Sequence, residues 1–140
     1  MNMHPNTKVT KVLDYAAAGT GTTNGTEIDM QGFTGVVFVG AAVGTADSGN
    51  YVKAQQDTAT GMASAADLEG TKITPGDDGD AIKMDIYKPL ERYVRIVAVL
   101  GASSTLGDCY AIQYGPVKAP TSDASTIDAE LNVSPAEGTA

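Results

Sequence analysis

The stretch that most constrains the fold is Arg92-Tyr93-Val94-Arg95-Ile96-Val97-Ala98-Val99-Leu100, the longest run of β-favouring residues in the chain. β-Branched and aromatic side chains fit a pleated, half-buried surface, so the run predicts a strand, stopped by Gly101. After Arg95 both alternating sets, Ile96/Ala98/Leu100 and Val97/Val99, are apolar, which is the pattern of a strand covered on two faces. Two arginines stand at its entrance. Cys109-Tyr110-Ala111-Ile112-Gln113-Tyr114 follows after the loop 101–108, with Tyr110, Ile112 and Tyr114 on one face. The short connection predicts an antiparallel hairpin between the two strands.

Other segments repeat the strand pattern. Ile82-Lys83-Met84-Asp85-Ile86-Tyr87 alternates cleanly, with Ile82, Met84 and Ile86 inward. Glu27–Gln31 does the same with Ile28 and Met30. Val36–Val39 is short and wholly apolar, as expected of a central strand, and Tyr51–Gln56 is a strand of mixed faces. Asn24-Gly25 predicts a hairpin turn, because both residues tolerate positive φ. The one modest helix signal runs from Ser64, as a cap, through Ala65–Glu69 to Gly70. Together these predict an all-β fold: an antiparallel β-sandwich or barrel, jelly-roll-like, with one short helical turn. Residues 1–12 form a polar arm that is free or pinned by a partner, which Val9, Val12 and Leu13 would extend into an edge strand. Residues 13–120 are the β domain. Residues 121–140 carry Asp123, Asp128, Glu130 and Glu137 and no basic or aromatic residue, so they read as a flexible acidic tail. Ile127, Leu131 and Val133 are its apolar residues, suited to docking on a neighbour.

Charge and composition exclude several function classes. A net charge of −8 has the wrong sign for a general nucleic-acid binder. No window approaches the roughly 20 apolar residues of a membrane span, and the first residues lack the apolar core of a secretory signal. The single cysteine, Cys109, forms no internal disulfide and reads as a small buried hydrophobe. The single histidine, His4, lies in the arm, where it makes a poor catalytic base. Zinc ligands are nearly absent. Gly19, Gly21 and Gly25 miss the dinucleotide spacing by one residue, and no phosphate-binding lysine follows. Pro75–Asp80 is the densest acidic cluster, but its glycine is misplaced for an EF-hand and no glutamate closes the loop, so an acidic turn is expected there. No catalytic residue, cofactor or metal site is expected.

The residues suited to an interface are Arg92, Arg95, Tyr87, Tyr93 and Tyr114. Arginine forks and amphipathic tyrosine rings serve contact surfaces well. They serve structural pairing equally, for example between the arginines and Glu91 or Asp85.

Tyr93-Val94-Arg95, and above all Ala111-Ile112-Gln113-Tyr114-Gly115-Pro116-Val117-Lys118-Ala119-Pro120, resemble the C-terminal signature of small structural proteins of tailed bacteriophages, among them capsid decoration (cement) proteins. The spacing of Ala65-Asp67-Leu68-Glu69-Gly70 before the Arg92 strand is similar too. The resemblance spans residues 27–120 and leaves the arm and tail uncovered. It implies a non-enzymatic, β-sandwich-like subunit, typically a homotrimer, made in the host cytoplasm and bound to the outer surface of the virion capsid. Its partner there would be the major capsid protein. The alternatives are a phage tail or head-completion component, or a carbohydrate- or calcium-binding module using Asp77–Asp80.

Overall fold

The computed structural model describes residues 2–132 and 136–137. Nine strands make up the body: β1 (Thr7–Leu13), β2 (Ala16–Asn24), β3 (Ile28–Asp29), β4 (Gly35–Gly40), β5 (Asn50–Asp57), β6 (Ala66–Asp67), β7 (Ile82–Tyr87), β8 (Tyr93–Leu106) and β9 (Cys109–Tyr114). One 3-10 turn, His4–Asn6, precedes them. The strands form two antiparallel sheets, ordered β1-β9-β4-β7 and β2-β8-β5-β6, with β3 also paired to β8. Their inner faces pack together, so the fold is an all-β sandwich. Among the described residues no helix is long and apolar enough to cross a membrane.

Alternation writes the core. On β7, Ile82, Met84 and Ile86 are buried while Lys83, Asp85 and Tyr87 are exposed. β4 sits between β9 and β7 and contributes Val36 and Phe38, both fully buried; β8 faces them with Val94, Ile96 and Ala98. Burying each large side chain of this kind contributes about 1.5–3 kcal/mol. β8 is the central strand of its sheet, as its length and apolarity predict. Its outward Val97 is also buried, whereas Val99 is half-buried. Ile28 and Met30 face the core, and Cys109 is buried within it.

Five expectations are corrected. β8 and β9 are not a hairpin: they lie in opposite sheets, and the chain crosses between them at Gly107-Asp108. That corner is fixed by Gly107 N–H donating to the Ala42 carbonyl at 2.7 Å and Ala41 N–H to the Asp108 carbonyl at 2.8 Å. β8 also runs through Gly101 to Leu106. Gly101 is no terminator but a point of close backbone approach, where an added Cβ would stand 2.7 Å from the Gly49 carbonyl oxygen.

Asn24-Gly25 is likewise no hairpin turn. Asn24 pairs with Val97 and Ile28 with Val94, so β2 and β3 follow the same strand, β8, with a local irregularity between them. Gly25 is required there by space, since a Cβ would meet Ile96 Cγ2 and the Ile96 carbonyl, each at 2.9 Å.

The helical turn expected at Ser64–Gly70 is the short strand β6, pairing Ala66 and Asp67 with Gln56 and Gln55. Ser64 N–H donates to the Asp57 carboxylate at 2.9 Å instead of capping a helix, and Asp67 accepts from Lys53 Nζ and Gln55 Nε2 across the strand. A run this short has no helical cooperativity to set against cross-strand bonds.

The arm boundary moves as well. Thr7–Leu13 pairs with β9 through Thr7 opposite Tyr114 to Leu13 opposite Cys109. Only the residues before Thr7 lie outside the sheet. Residues 121–126 in turn lie along the outer edge of β1: Val9 N–H donates to the Asp123 carboxylate at 2.6 Å, and Ala124 N–H to the Val9 carbonyl at 3.0 Å. Leu131 is exposed and Ile127 half-buried. Val133 lies outside the described residues.

Candidate functional site

At one end of the sandwich three connections meet: Met30–Thr34 before β4, Lys88–Arg92 between β7 and β8, and Gly115–Val117 after β9. Backbone bonds tie them together. Met30 N–H donates to the Arg92 carbonyl at 2.8 Å, Lys88 N–H to Thr34 at 2.9 Å, and Val117 N–H to Gly32 at 2.8 Å. Gly115 adopts a φ of 62°, which places its carbonyl to accept from Thr34 Oγ1 at 2.8 Å. These loops are therefore held by the body of the fold and present a preformed surface.

That surface is grooved and partly apolar. An open groove of about 570 Å3 is lined by Met30, Gln31, Phe33, Lys88, Leu90 and Arg92, among others. A second, of about 270 Å3, shares Lys88, Pro89 and Leu90, so the β7–β8 loop is the ridge between the two. Leu90 on this ridge is 88% exposed, Val117 is 88% exposed, and Tyr87 at the end of β7 is 62% exposed. Three large apolar side chains are thus exposed to solvent at this end of the domain.

Arg92 and Tyr87 belong to this end. The Arg92 guanidinium engages Asp29 through Nε at 2.9 Å and Nη2 at 2.7 Å, and stands 5.2 Å from the Tyr93 ring centre. This bidentate bond, with support from the Gln31 amide, holds the Asp29 carboxyl below the usual carboxylate range. Lys88 Nζ lies 5.2 Å from the Tyr87 ring centre. Lys88 holds a φ of 50°, a left-handed conformation seldom adopted outside glycine and asparagine, in the tight turn that raises the ridge.

The remaining predicted residues divide between the two outer sheet faces. Tyr114 lies on the outer face of the β1-β9-β4-β7 sheet and donates to Asp85 Oδ1 at 2.7 Å. Partial burial, reinforced by that carboxylate, pushes the Tyr114 phenol up to about 12. Arg95 projects from the opposite sheet, where Nε and Nη2 both donate to Gln55 Oε1, at 2.9 and 2.7 Å. Gln55 pairs with Arg95 in register and passes the network to Asp67 and Lys53. The ionic partners anticipated for the arginines, Glu91 and Asp85, are not those observed. Arg95 and Tyr114 are thus structural in their contacts, while Arg92 lines the groove.

Burial pushes the Cys109 thiol up to about 12, which leaves it protonated and unreactive. Asp77–Asp80 forms a turn in which Asp78 accepts from Ala46 N–H and Asp80 from Asp77 N–H. Among the described residues no three His, Cys, Asp or Glu side chains converge as metal ligands would. Sequence reasoning missed Leu90 and Val117. Their only signal was an apolar residue placed in a turn or after a strand end, beside Pro89 and Pro116.

No protein-family model and no curated protein matches the chain. Among solved structures, the crystal structure of the SPBc2 prophage-derived protein YomS superposes with a TM-score of 0.52. The match covers 79% of this chain and 95% of that one at 10% identity, a likeness of fold. The crystal structure of PirA gives a TM-score of 0.35 at 15% identity, covering 81% of this chain and 88% of that one.

Proposed function

We propose that this chain is a non-enzymatic structural protein of a phage particle. In this reading it docks on the outer surface of the assembled head and stabilises it as a homotrimeric cement protein. One observation carries the reading: its fold is like that of a prophage-derived protein over nearly the whole of that protein's length. The phage-like run Ala111–Pro120 supports it; its residues form most of β9 and the connection after it, which carries the exposed Val117. The preformed ridge of Tyr87, Leu90 and Val117 is the surface we assign to docking, because little order is lost when such a surface is buried. Binding only the assembled lattice would stabilise heads by mass action. The test is co-sedimentation with expanded, undecorated heads of the phage that encodes the chain, followed by thermal melting of the pellet. Saturable binding with a raised head melting temperature supports the reading; no co-sedimentation and an unchanged melting temperature contradict it.

A further inference from the structure

The outer edge of β1 is filled by the chain's own residues 121–126 in an unusual way. The segment runs parallel to β1, its contacts passing from Pro5 to Lys11 as it advances from Thr121 to Thr126. Two of its bonds are between backbones, Thr121 N–H to the Pro5 carbonyl and Ala124 N–H to the Val9 carbonyl, each 3.0 Å. The others use side-chain oxygens. The Thr121 hydroxyl donates to the Thr7 carbonyl, Val9 N–H donates to Asp123 Oδ1 at 2.6 Å, and Lys11 N–H donates to Thr126 Oγ1 at 3.5 Å. A generic strand would satisfy an edge through backbone alone. Here Thr121, Asp123 and Thr126 supply a side-chain fingerprint that the edge selects.

We infer that the β1 edge is a strand-acceptor site whose partner in an assembly is residues 121–126 of a second copy of this chain. Every copy carries the fingerprint. The hydrophobic core cluster contains no residue of the segment, so exchange leaves the core packed. The connection from Gly115 to Pro120 contains no regular element and two prolines; Thr34 and Gly32 anchor it to the body as far as Val117, so Lys118–Pro120 is the stretch that can redirect the segment. Swapping an identical element between protomers requires no new contacts. In dilute solution the tethered segment wins, because its effective concentration is on the order of millimolar. Where copies are crowded side by side, the neighbour's segment competes on equal terms.

Shortening the connection tests this in the full chain. The segment crosses from β9 over β1, about 10 Å or two strand spacings. With Gly115–Ala119 removed, the two Cα–Cα steps left between Tyr114 and Thr121 reach only about 7 Å. The shortened chain is expected to become oligomeric in sedimentation, and Thr121→Ala with Asp123→Ala to return it to monomer. A shortened chain that stays monomeric, or oligomers indifferent to those substitutions, would overturn the inference. A second measurement keeps the connection intact: Lys11→Cys and Thr126→Cys copies are mixed, concentrated and mildly oxidised. A covalent heterodimer that Asp123→Ala suppresses supports exchange; its absence at millimolar protein contradicts it.

Discussion

The ring of Tyr114 lies across Gly35: a Cβ on Gly35 would come within 2.4 Å of both Cζ and the phenol oxygen. Gly35 stands opposite Tyr114 on β9 and Tyr87 on β7, and its missing side chain lets Tyr114 reach Asp85 on β7. The glycine and the tyrosine thus act as a unit that ties three neighbouring strands on the outer face. Gly35→Ala is expected to displace the ring, break the Tyr114–Asp85 bond and cost about 1–2 kcal/mol in urea unfolding.

The partial burial of Tyr114, reinforced by that bond, sets an alkaline limit. Tyr114 is pushed up to about 12 in the folded chain, while an unfolded tyrosine titrates near its ordinary value of about 10. Above the ordinary value the unfolded state releases a proton that the folded state keeps, so the stability this group contributes is intact below pH 10. It is lost progressively as pH rises toward 12. Tyr114→Phe should flatten that part of the stability–pH curve. An unchanged slope would contradict the assignment.

Gly25 tests the continuous β2–β3 edge. Its Cβ position is blocked by Ile96 Cγ2, by the Ile96 carbonyl and, at 3.2 Å, by the Val12 carbonyl. Backbone cannot step aside as a side-chain tip can. Gly25→Ala is expected to cost about 1–3 kcal/mol, read as a lower urea midpoint. In a hairpin turn at positive φ the substitution would instead act through local strain, without loosening β8. Hydrogen exchange at the amide of residue 25 separates the two, since Gly25 N–H donates to the Ile96 carbonyl at 2.8 Å.

Gln113 is a buried amide, 2% exposed, whose Nε2 donates to the Asp29 carbonyl at 2.8 Å and so links β9 to β3 across the sandwich. Gln113→Leu keeps the volume but leaves that carbonyl without its donor, a cost of about 1–3 kcal/mol. Asp29 is also the partner of Arg92, so the change should loosen the groove wall. Chemical shifts of Met30 and Arg92 are expected to move, while those of β5 stay fixed.

What could be read from the sequence follows from how strongly burial imprints alternation. β7 and the first half of β8 are legible because their inward residues, Ile82, Met84 and Ile86 and then Val94, Ile96, Ala98 and Leu100, are apolar, while Lys83 and Asp85 between them on β7 are charged. β2 was illegible: Ala16-Ala17-Ala18-Gly19-Thr20-Gly21 is mostly exposed, so no core face imposes a period on it. It is a strand because β8 is long enough to pair it. The hairpin expected of β8 and β9 failed because loop length does not report which sheet a strand joins. The Gly107-Asp108 corner is set by contacts with residues 41–42, far away in sequence. For the candidate site, Arg92 and Tyr87 were legible as amphipathic residues at a strand end. Leu90 and Val117 were not, because exposure of an apolar side chain is decided by tertiary placement.

The ridge proposed to dock on heads offers a separation of stability from binding. Leu90 is 88% exposed and Tyr87 62% exposed, so Leu90→Asp and Tyr87→Ala should change stability by less than about 0.5 kcal/mol. Either is expected to weaken attachment to heads by at least tenfold in a co-sedimentation titration. Gly25→Ala, in contrast, should lower stability while leaving the affinity of the folded fraction unchanged.

Cryo-electron imaging of heads incubated with the purified chain tests whether the folded subunit occupies the outside of an assembled phage head, as proposed. The predicted result is ordered β-sandwich density on the outer surface, with the Leu90 ridge facing the major capsid protein and copies arranged around three-fold positions. Heads that show no added density, or density confined to the tail or its vertex, would contradict it.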